Sequence, residues 1–140
     1  YEQALLAAGI ARDPHLVHAS DFTIPGGYVA GKQVLGDPRH RPTAIVAASD
    51  EVAMGAILAA RDLGLQVPHD LSIIGIDGHE LAEFFGLTTV AQFPALQGRL
   101  AVEMLMGELK SGNRAALPAN TPLPFELIVR SSTSRPSRAD

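Results

Sequence analysis

The sequence contains no cysteine and no tryptophan, and aromatic residues make up only 5% of its 140 residues. The absence of cysteine excludes a disulfide framework, a thiol nucleophile and a thiolate metal site. No apolar run approaches the roughly 18 residues of a membrane span, and the first residues lack the basic and apolar regions of a signal peptide. We therefore expect a soluble protein without a membrane partner.

Long runs of one charge are also missing. The chain has 15 acidic and 11 basic residues, which gives a net charge of −4, and like charges do not cluster into the arms that bind nucleic acid. Any contact with DNA must then come from another part of the protein. The opening segment "YEQALLAAGI" is typical of the middle of a helix and not of the start of a protein. We therefore expect this chain to be a piece of a longer protein.

Strands and helices are predicted in alternation along the chain. The predicted strands cover 15–20, 43–48, 71–76, 87–92 and 125–130, and predicted helices lie before and between them at 1–9, 27–35, 50–63, 79–85 and 95–110. The clearest helix has Ser49 as its N-cap, carboxylates in its first turn and Gly64 as its stop. This alternation predicts an α/β domain with a mainly parallel sheet.

Polar or aromatic side chains follow the predicted strands where each one ends. Because ligands of open α/β sheets bind at the carboxyl ends of the strands, these residues form the default site. Helix capping and ordinary turn chemistry are the structural alternative for each of them. The residues are Asp21, Phe22, Ser49, Asp50, Asp77 and Gln92.

Catalytic motifs give no specific support for an enzyme. The dinucleotide-binding G-x-G-x-x-G, the phosphate-binding loop and the nucleophile elbow G-x-S-x-G are all missing. A phosphoryl-transfer enzyme with Asp77 as nucleophile would need magnesium ligands, for which Asp50 and Asp21 are the candidates. The five histidines are scattered and none forms an H-x-x-x-H pair, so we predict neither a metal nor a cofactor.

A binding site for a sugar-like molecule fits these residues better. Carboxylates and amides exchange hydrogen bonds with hydroxyl groups, and an aromatic ring stacks on the apolar face of a sugar. Asp77, Ser49, Gln92 and Phe22 supply this combination. The alternative for Phe22 is a core or lid aromatic.

Several ordered motifs carry a family resemblance. They are "RPTAIVAASDEVAMGAI", "GLQVPHDLSIIGIDG", "LTTVAQF" and "LIVRSST", and the chain that contains them resembles the effector-binding domain of the lactose repressor/galactose repressor (LacI/GalR) family of bacterial transcription regulators. The resemblance implies a periplasmic-binding-protein-like (type I) fold with two α/β subdomains around a ligand cleft. It implies effector contacts by Asp77, Phe22 and Gln92, and by Ser49 where the family often has asparagine. Asp50 and Asp21 are expected to be structural or capping residues near that site.

The resemblance also implies how the chain is organised. Residues 1–92 would be the carboxyl-terminal subdomain, 93–124 a helix and loop that pack on an amino-terminal subdomain outside this chain, and 125–140 a final strand and polar tail. The protein would be a cytoplasmic homodimer that reaches DNA through a helix-turn-helix outside this chain. The alternative function is a periplasmic sugar-binding protein of an ABC transporter.

Overall fold

The fold is a four-stranded sheet with helices, seen in a computed structural model that describes residues 1–111, apart from the Ser111 side chain, and 122–135. The strands are β1 (Ala44–Val46), β2 (Ser72–Asp77), β3 (Thr88–Ala91) and β4 (Glu126–Ile128), and they lie in this order in the sheet. β1, β2 and β3 are parallel, and β4 is antiparallel to β3. The α-helices are α1 (Glu2–Ala7), α2 (Ile24–Leu35), α3 (Asp50–Asp62) and α4 (Pro94–Ser111). The predicted α/β class with a mainly parallel sheet is confirmed.

Helix α3 connects β1 to β2 and begins and ends as the sequence predicts. The Oγ of Ser49 accepts a hydrogen bond from the backbone N–H of Val52 at 3.2 Å, which satisfies one of the free donors of the first turn. At the other end the N–H of Gly64 donates to the carbonyl of Arg61, and that of Leu65 donates to the carbonyl of Ala60. These two bonds form the Schellman arrangement that stops a helix.

Helices α2 and α3 pack backbone to backbone along a seam of small residues. A Cβ on Gly55 would lie 2.6 Å from the carbonyl carbon of Gly27 and still closer to the backbone of Ile24 and Tyr28. A Cβ on Gly31 would lie 2.8 Å from the Cβ of Ala59. No larger side chain fits between these helices, so glycine at position 55 is required by the close approach rather than by the backbone angles.

The core lies between the sheet and the helices and is aliphatic. Ala53 and Met54 of α3, Ile73 of β2 and Leu35 of α2 have no exposed surface. Other buried members are Ala47, Ala56, Ala60, Leu71, Ala82 and Leu87. Tight burial of these side chains fixes α3 over the sheet and so fixes the strand ends beside its first turn.

The predicted strand at 15–20 is wrong. The structure has a 3₁₀ turn at Pro14–Leu16, after which the chain has no regular structure until α2. Local hydrogen bonds explain the difference: Oδ1 of Asp13 accepts from the N–H of His15, and the ring Nε2 of His18 lies 2.9 Å from the carbonyl oxygen of His15. Such bonds offer the backbone an alternative to a strand ladder.

Smaller differences concern the end of the chain and one short helix. The predicted helix at 79–85 is a 3₁₀ turn at Glu80–Ala82, and the final strand is limited to Glu126–Ile128. Most of the predicted loop before that strand and the last five residues of the tail lie outside the described residues.

Helix α4 exposes a large apolar face. Its exposed apolar residues are Val102, Leu105, Met106 and Leu109. Leu109 has 69% of its surface exposed, although leucine is usually a core residue. A contiguous exposed apolar face of this kind marks a contact surface.

Candidate functional site

The ends of β2 and β3 bring Asp77 and Gln92 together. The carboxylate of Asp77 is exposed at the last position of β2, and Nε2 of Gln92 donates to its Oδ1 at 3.3 Å. The backbone N–H of Gln92 donates to the carbonyl oxygen of Asp77 at 3.2 Å. The two predicted binding residues therefore form one unit, with acceptor oxygens and an amide side by side.

The backbone of Asp77 adopts an unusual conformation. Its φ is +125°, and that of the following Gly78 is +75°. Positive φ suits glycine and is costly for a residue with a Cβ. A Cβ on Gly78 would also lie 2.7 Å from the Cβ of Ala91, so glycine is needed there for space as well. Strain of this type is typical of functional sites.

Ser49 and Asp50, at the first turn of α3, meet the same edge of the sheet. Ser49 is 3% exposed and its Oγ caps the helix, as described above, which leaves its hydroxyl proton free for a further acceptor. Asp50 is fully buried, and its Oδ2 accepts the backbone N–H of His79 at 2.7 Å. Oδ1 of Asp50 has no hydrogen-bond partner among the described residues.

The electrostatics of the site act on Asp77. Partial burial raises the pKa of its carboxyl above the ordinary value, and the nearby negative charges of Asp50 and Glu51 raise it further. A hydrogen bond from the backbone of Asp50 and the charge of His79 oppose this rise. Asp77 therefore holds its proton more tightly than an ordinary surface aspartate.

Phe22 and Asp21 lie in the segment before α2, not at the end of a strand. Phe22 is 64% exposed and lines a cavity of about 480 Å³ together with Leu16, Val34 and Val46. Among the described residues, the lining of this cavity does not include Asp77, Ser49 or Gln92. Thr23, and not Asp21, is the N-cap of α2, with its Oγ1 accepting from the N–H of Gly26 at 3.0 Å.

Three features of the site were not predicted from the sequence. Oγ1 of Thr89 accepts the N–H of Gly78 at 3.2 Å and so supports the turn after Asp77. Phe93, directly after Gln92, has a φ of +52°. The contact of Asp50 with His79 joins residues 29 positions apart, and only the paired strand ends "SD" and "DGH" could have suggested it.

The histidines do not gather into a metal site. Rings of His15 and His40 are 6.2 Å apart, and His40 and His69 each lie beside an aspartate. Within residues 1–111 and 122–135, no three histidine, aspartate or glutamate side chains are placed to hold a metal ion.

Comparison with known proteins identifies the family. The model of the periplasmic binding protein-like domain matches residues 1–133. The chain belongs to this family. The periplasmic binding protein-like domain is 44% identical over 115 residues to the ribose operon repressor of Haemophilus influenzae, which covers 81% of this chain and 34% of that protein. It is 40% identical over 140 residues to the transcriptional repressor CytR of Escherichia coli, covering 95% of this chain and 39% of that protein.

Solved structures give the same result for this periplasmic binding protein-like domain. It superposes with a TM-score of 0.81 and 27% identity on a LacI family transcriptional regulator from Enterococcus faecium with bound ribose, over 95% of this chain and 49% of that one. The LacI/GalR resemblance and the predicted fold are confirmed.

The matches also define how much of a relative this domain represents. The chain spans about 34–39% of the length of the two curated relatives named above. In the part of the chain that the structure describes, no helix combines the length and the hydropathy needed to cross a bilayer.

Proposed function

We propose that this chain is the effector-binding part of a bacterial DNA-binding transcription regulator and that its ligand is a sugar or a sugar derivative. The observation that carries the proposal is the exposed Asp77 carboxylate at the end of β2, in a strained conformation and paired with Gln92. A carboxylate beside an amide accepts and donates hydrogen bonds, as a polyhydroxyl ligand requires. The repressor names of the relatives and the ribose in one neighbour support this reading over the transporter alternative.

Ligand contacts are assigned as follows. Asp77 accepts hydrogen bonds from ligand hydroxyls, Gln92 orients that carboxylate and offers its amide, and Ser49 donates its hydroxyl proton. Phe22 is exposed and lines a cavity whose lining, among the described residues, does not include Asp77, Ser49 or Gln92, so its stacking role requires a ligand that extends toward the segment before α2, or a movement of that segment. No enzymatic step, metal or cofactor is part of this function.

The exposed face of α4 supports the proposed division of the chain. Residues 1–92 act as the carboxyl-terminal subdomain, and 93–124 pack on an amino-terminal subdomain whose apolar surface covers Leu105 and Leu109. Residues 125–140 supply the final strand and tail. Ligand between the two subdomains changes their arrangement, and the affinity of a cytoplasmic homodimer for its operator changes with it.

Calorimetry of the intact protein tests the proposal with D-ribose, sucrose and cellobiose. We expect one sugar class to bind and Asp77→Ala to weaken that binding by at least about tenfold, the effect of one charge-assisted hydrogen bond. Glu83→Gln, which changes an exposed carboxylate close by in sequence, is the control and leaves the affinity unchanged. Equal affinities in wild type and Asp77→Ala would remove Asp77 from the site.

Measurement of operator binding is the second test of the proposed function. A ligand that binds the intact protein is expected to change its affinity for promoter DNA upstream of its own gene. Binding of sugar by a protein that has no affinity for DNA would favour the transporter alternative.

A further inference from the structure

Asp50 is a buried charge whose position is not explained by helix capping. Ser49 caps α3 with its own hydroxyl, and the side chain of Asp50 is directed at the turn that follows β2. An ionised carboxylate without exposed surface is costly unless its hydrogen bonds compensate for the lost hydration. Here one oxygen has a partner and the other has none among the described residues. A residue under this cost is expected to have a function.

The turn at 77–79 needs an anchor. Asp77 and Gly78 both have positive φ, and this conformation is costly for the residue that carries a Cβ. Three hydrogen bonds fix the turn. Oγ1 of Thr89 accepts from the N–H of Gly78, and the carbonyl of Asp77 accepts from the N–H of Gln92. The carboxylate of Asp50 accepts from the N–H of His79. The bond to His79 is the shortest of the three at 2.7 Å and the one that uses a charged acceptor.

Asp50 connects the first turn of α3 to the turn that follows β2. The carboxylate of Asp50 accepts a hydrogen bond from the backbone of His79, two positions after Asp77. Gly75 allows this arrangement, because a Cβ there would collide with Oδ1 of Asp50 and lie 3.1 Å from its Cα. The first turn of α3 and the end of β2 are therefore joined through Asp50.

We propose that Asp50 is a positioning residue for effector binding, which holds the 77–79 turn through His79 and so directs the Asp77 carboxylate toward the ligand. The inference rests on the proposed function for the ligand itself. Asp50 does not touch the effector, since it has no exposed surface. Its charge has a second effect, because it adds to the burial that raises the pKa of Asp77.

Asp50→Asn is the first test, made in the intact protein. Asparagine keeps the shape and one acceptor oxygen but removes the charge. We expect hydrogen exchange of the His79 amide to accelerate by about tenfold, because a charge-assisted bond becomes a neutral one. The pKa of the Asp77 carboxyl, measured by NMR titration, should fall. The pH below which the protein loses effector affinity should fall with it. Glu51→Gln is the matched control. It removes a charge that raises the pKa of Asp77, so it can lower that pKa, but the hydrogen exchange rate of the His79 amide stays unchanged.

A second pair of variants isolates the same bond from the other side. The φ of His79 is −58°, which proline adopts, so His79→Pro removes the N–H without changing that angle. His79→Ala removes the ring and keeps the N–H. The probe is the sugar among D-ribose, sucrose and cellobiose that binds the wild type. We expect the affinity of His79→Pro for this sugar to be about tenfold lower than that of His79→Ala.

The outcomes separate the two proposals. Unchanged His79 exchange and an unchanged Asp77 titration in Asp50→Asn would overturn the positioning role, whatever the ligand is. If none of the three sugars binds the intact protein while both NMR readouts move as expected, the proposed function fails and Asp50 still positions the turn. Equal affinities of the proline and alanine variants at position 79 would also count against the positioning role.

Discussion

Gln92 contacts Asp77 twice, through its backbone N–H at 3.2 Å and through its side-chain Nε2 at 3.3 Å. The first bond belongs to the pairing of β2 with β3, and the second depends on the side chain alone. Gln92 can therefore be changed without loss of the strand pairing. Gln92→Ala is expected to reduce effector affinity by about three- to tenfold, since one neutral hydrogen bond is worth about 0.5–1.5 kcal/mol. Calorimetry checks this, and an affinity equal to wild type would exclude the amide from the site.

Asp77 should reduce stability at neutral pH. Its raised pKa means that the folded protein binds the proton more tightly than the unfolded chain, so its contribution to stability is complete below the unfolded pKa and is lost as pH rises through the folded pKa. Asp77→Asn removes this titration and keeps a residue that tolerates positive φ. We expect the variant to be at least as stable as wild type at pH 7, with a smaller difference at pH 4. Urea unfolding at both pH values measures it, and a variant that is less stable at pH 7 would contradict the argument.

Ser132 joins β2 to the start of β3. Its Oγ donates to the carbonyl of Ile73 at 2.6 Å and accepts the N–H of Thr88 at 2.8 Å, and the residue is 2% exposed. Ser132→Ala leaves two buried backbone groups without their partner and should lower the free energy of unfolding by about 1–3 kcal/mol. The neighbouring exposed Ser131→Ala is the control, with an expected change within about 0.5 kcal/mol. Similar denaturation midpoints for the two variants would show that Ser132 is not needed for this connection.

Glycine to alanine substitution should have opposite effects at a glycine in the seam between α2 and α3 and at an open glycine in α4. Gly55→Ala places a methyl group against the backbone of α2 and should cost about 1–3 kcal/mol or more. Gly98→Ala, in α4, meets no atom within 4 Å and should stabilise the protein by about 0.5–1 kcal/mol through helix propensity. Thermal unfolding of the two variants distinguishes them. A stabilising Gly55→Ala would mean that α2 and α3 can move apart.

Asp37 should contribute to acid sensitivity. The N–H of Arg39 and then the ring of His40 lower the pKa of the Asp37 carboxyl to about 2. Because this pKa lies below that of the unfolded chain, the stabilisation is present above the unfolded value and is lost as pH falls toward about 2. Asp37→Asn should flatten the pH dependence of stability in this window and change it little above it. Urea unfolding between pH 2 and 5 checks the direction, and a wild-type slope in the variant would contradict it.

The elements that were predicted well are those whose signals are local. Ser49 and Gly64 define α3 through capping chemistry, and the apolar run before Asp77 is long enough to indicate β2. The strand predicted at 15–20 was wrong because a strand requires a partner, and the competing bonds of Asp13 and His18 are not visible as a periodic pattern. The predicted helix at 79–85 lacks a serine N-cap like that of α3, and only a 3₁₀ turn forms there.

The candidate site shows the same division. Position at a strand end brought Asp77, Gln92 and Ser49 to the same edge of the sheet, as expected. The burial of Asp50 could not be predicted, because it depends on an oxygen that fits against Gly75 from another element. Phe22 is exposed and lines a cavity whose lining, among the described residues, does not include Asp77, Ser49 or Gln92. The effector contacts of these residues stay predictions until a ligand is bound.

The seam between α2 and α3 has a mechanical consequence. With backbone touching backbone, no layer of long side chains can rearrange to let one helix slide along the other. The first turns of the two helices, beside Phe22 and Ser49, must then keep a constant spacing and move as a single rigid body. If this domain binds an effector as proposed, we expect the ligand to move these two first turns together and not to change the spacing between them.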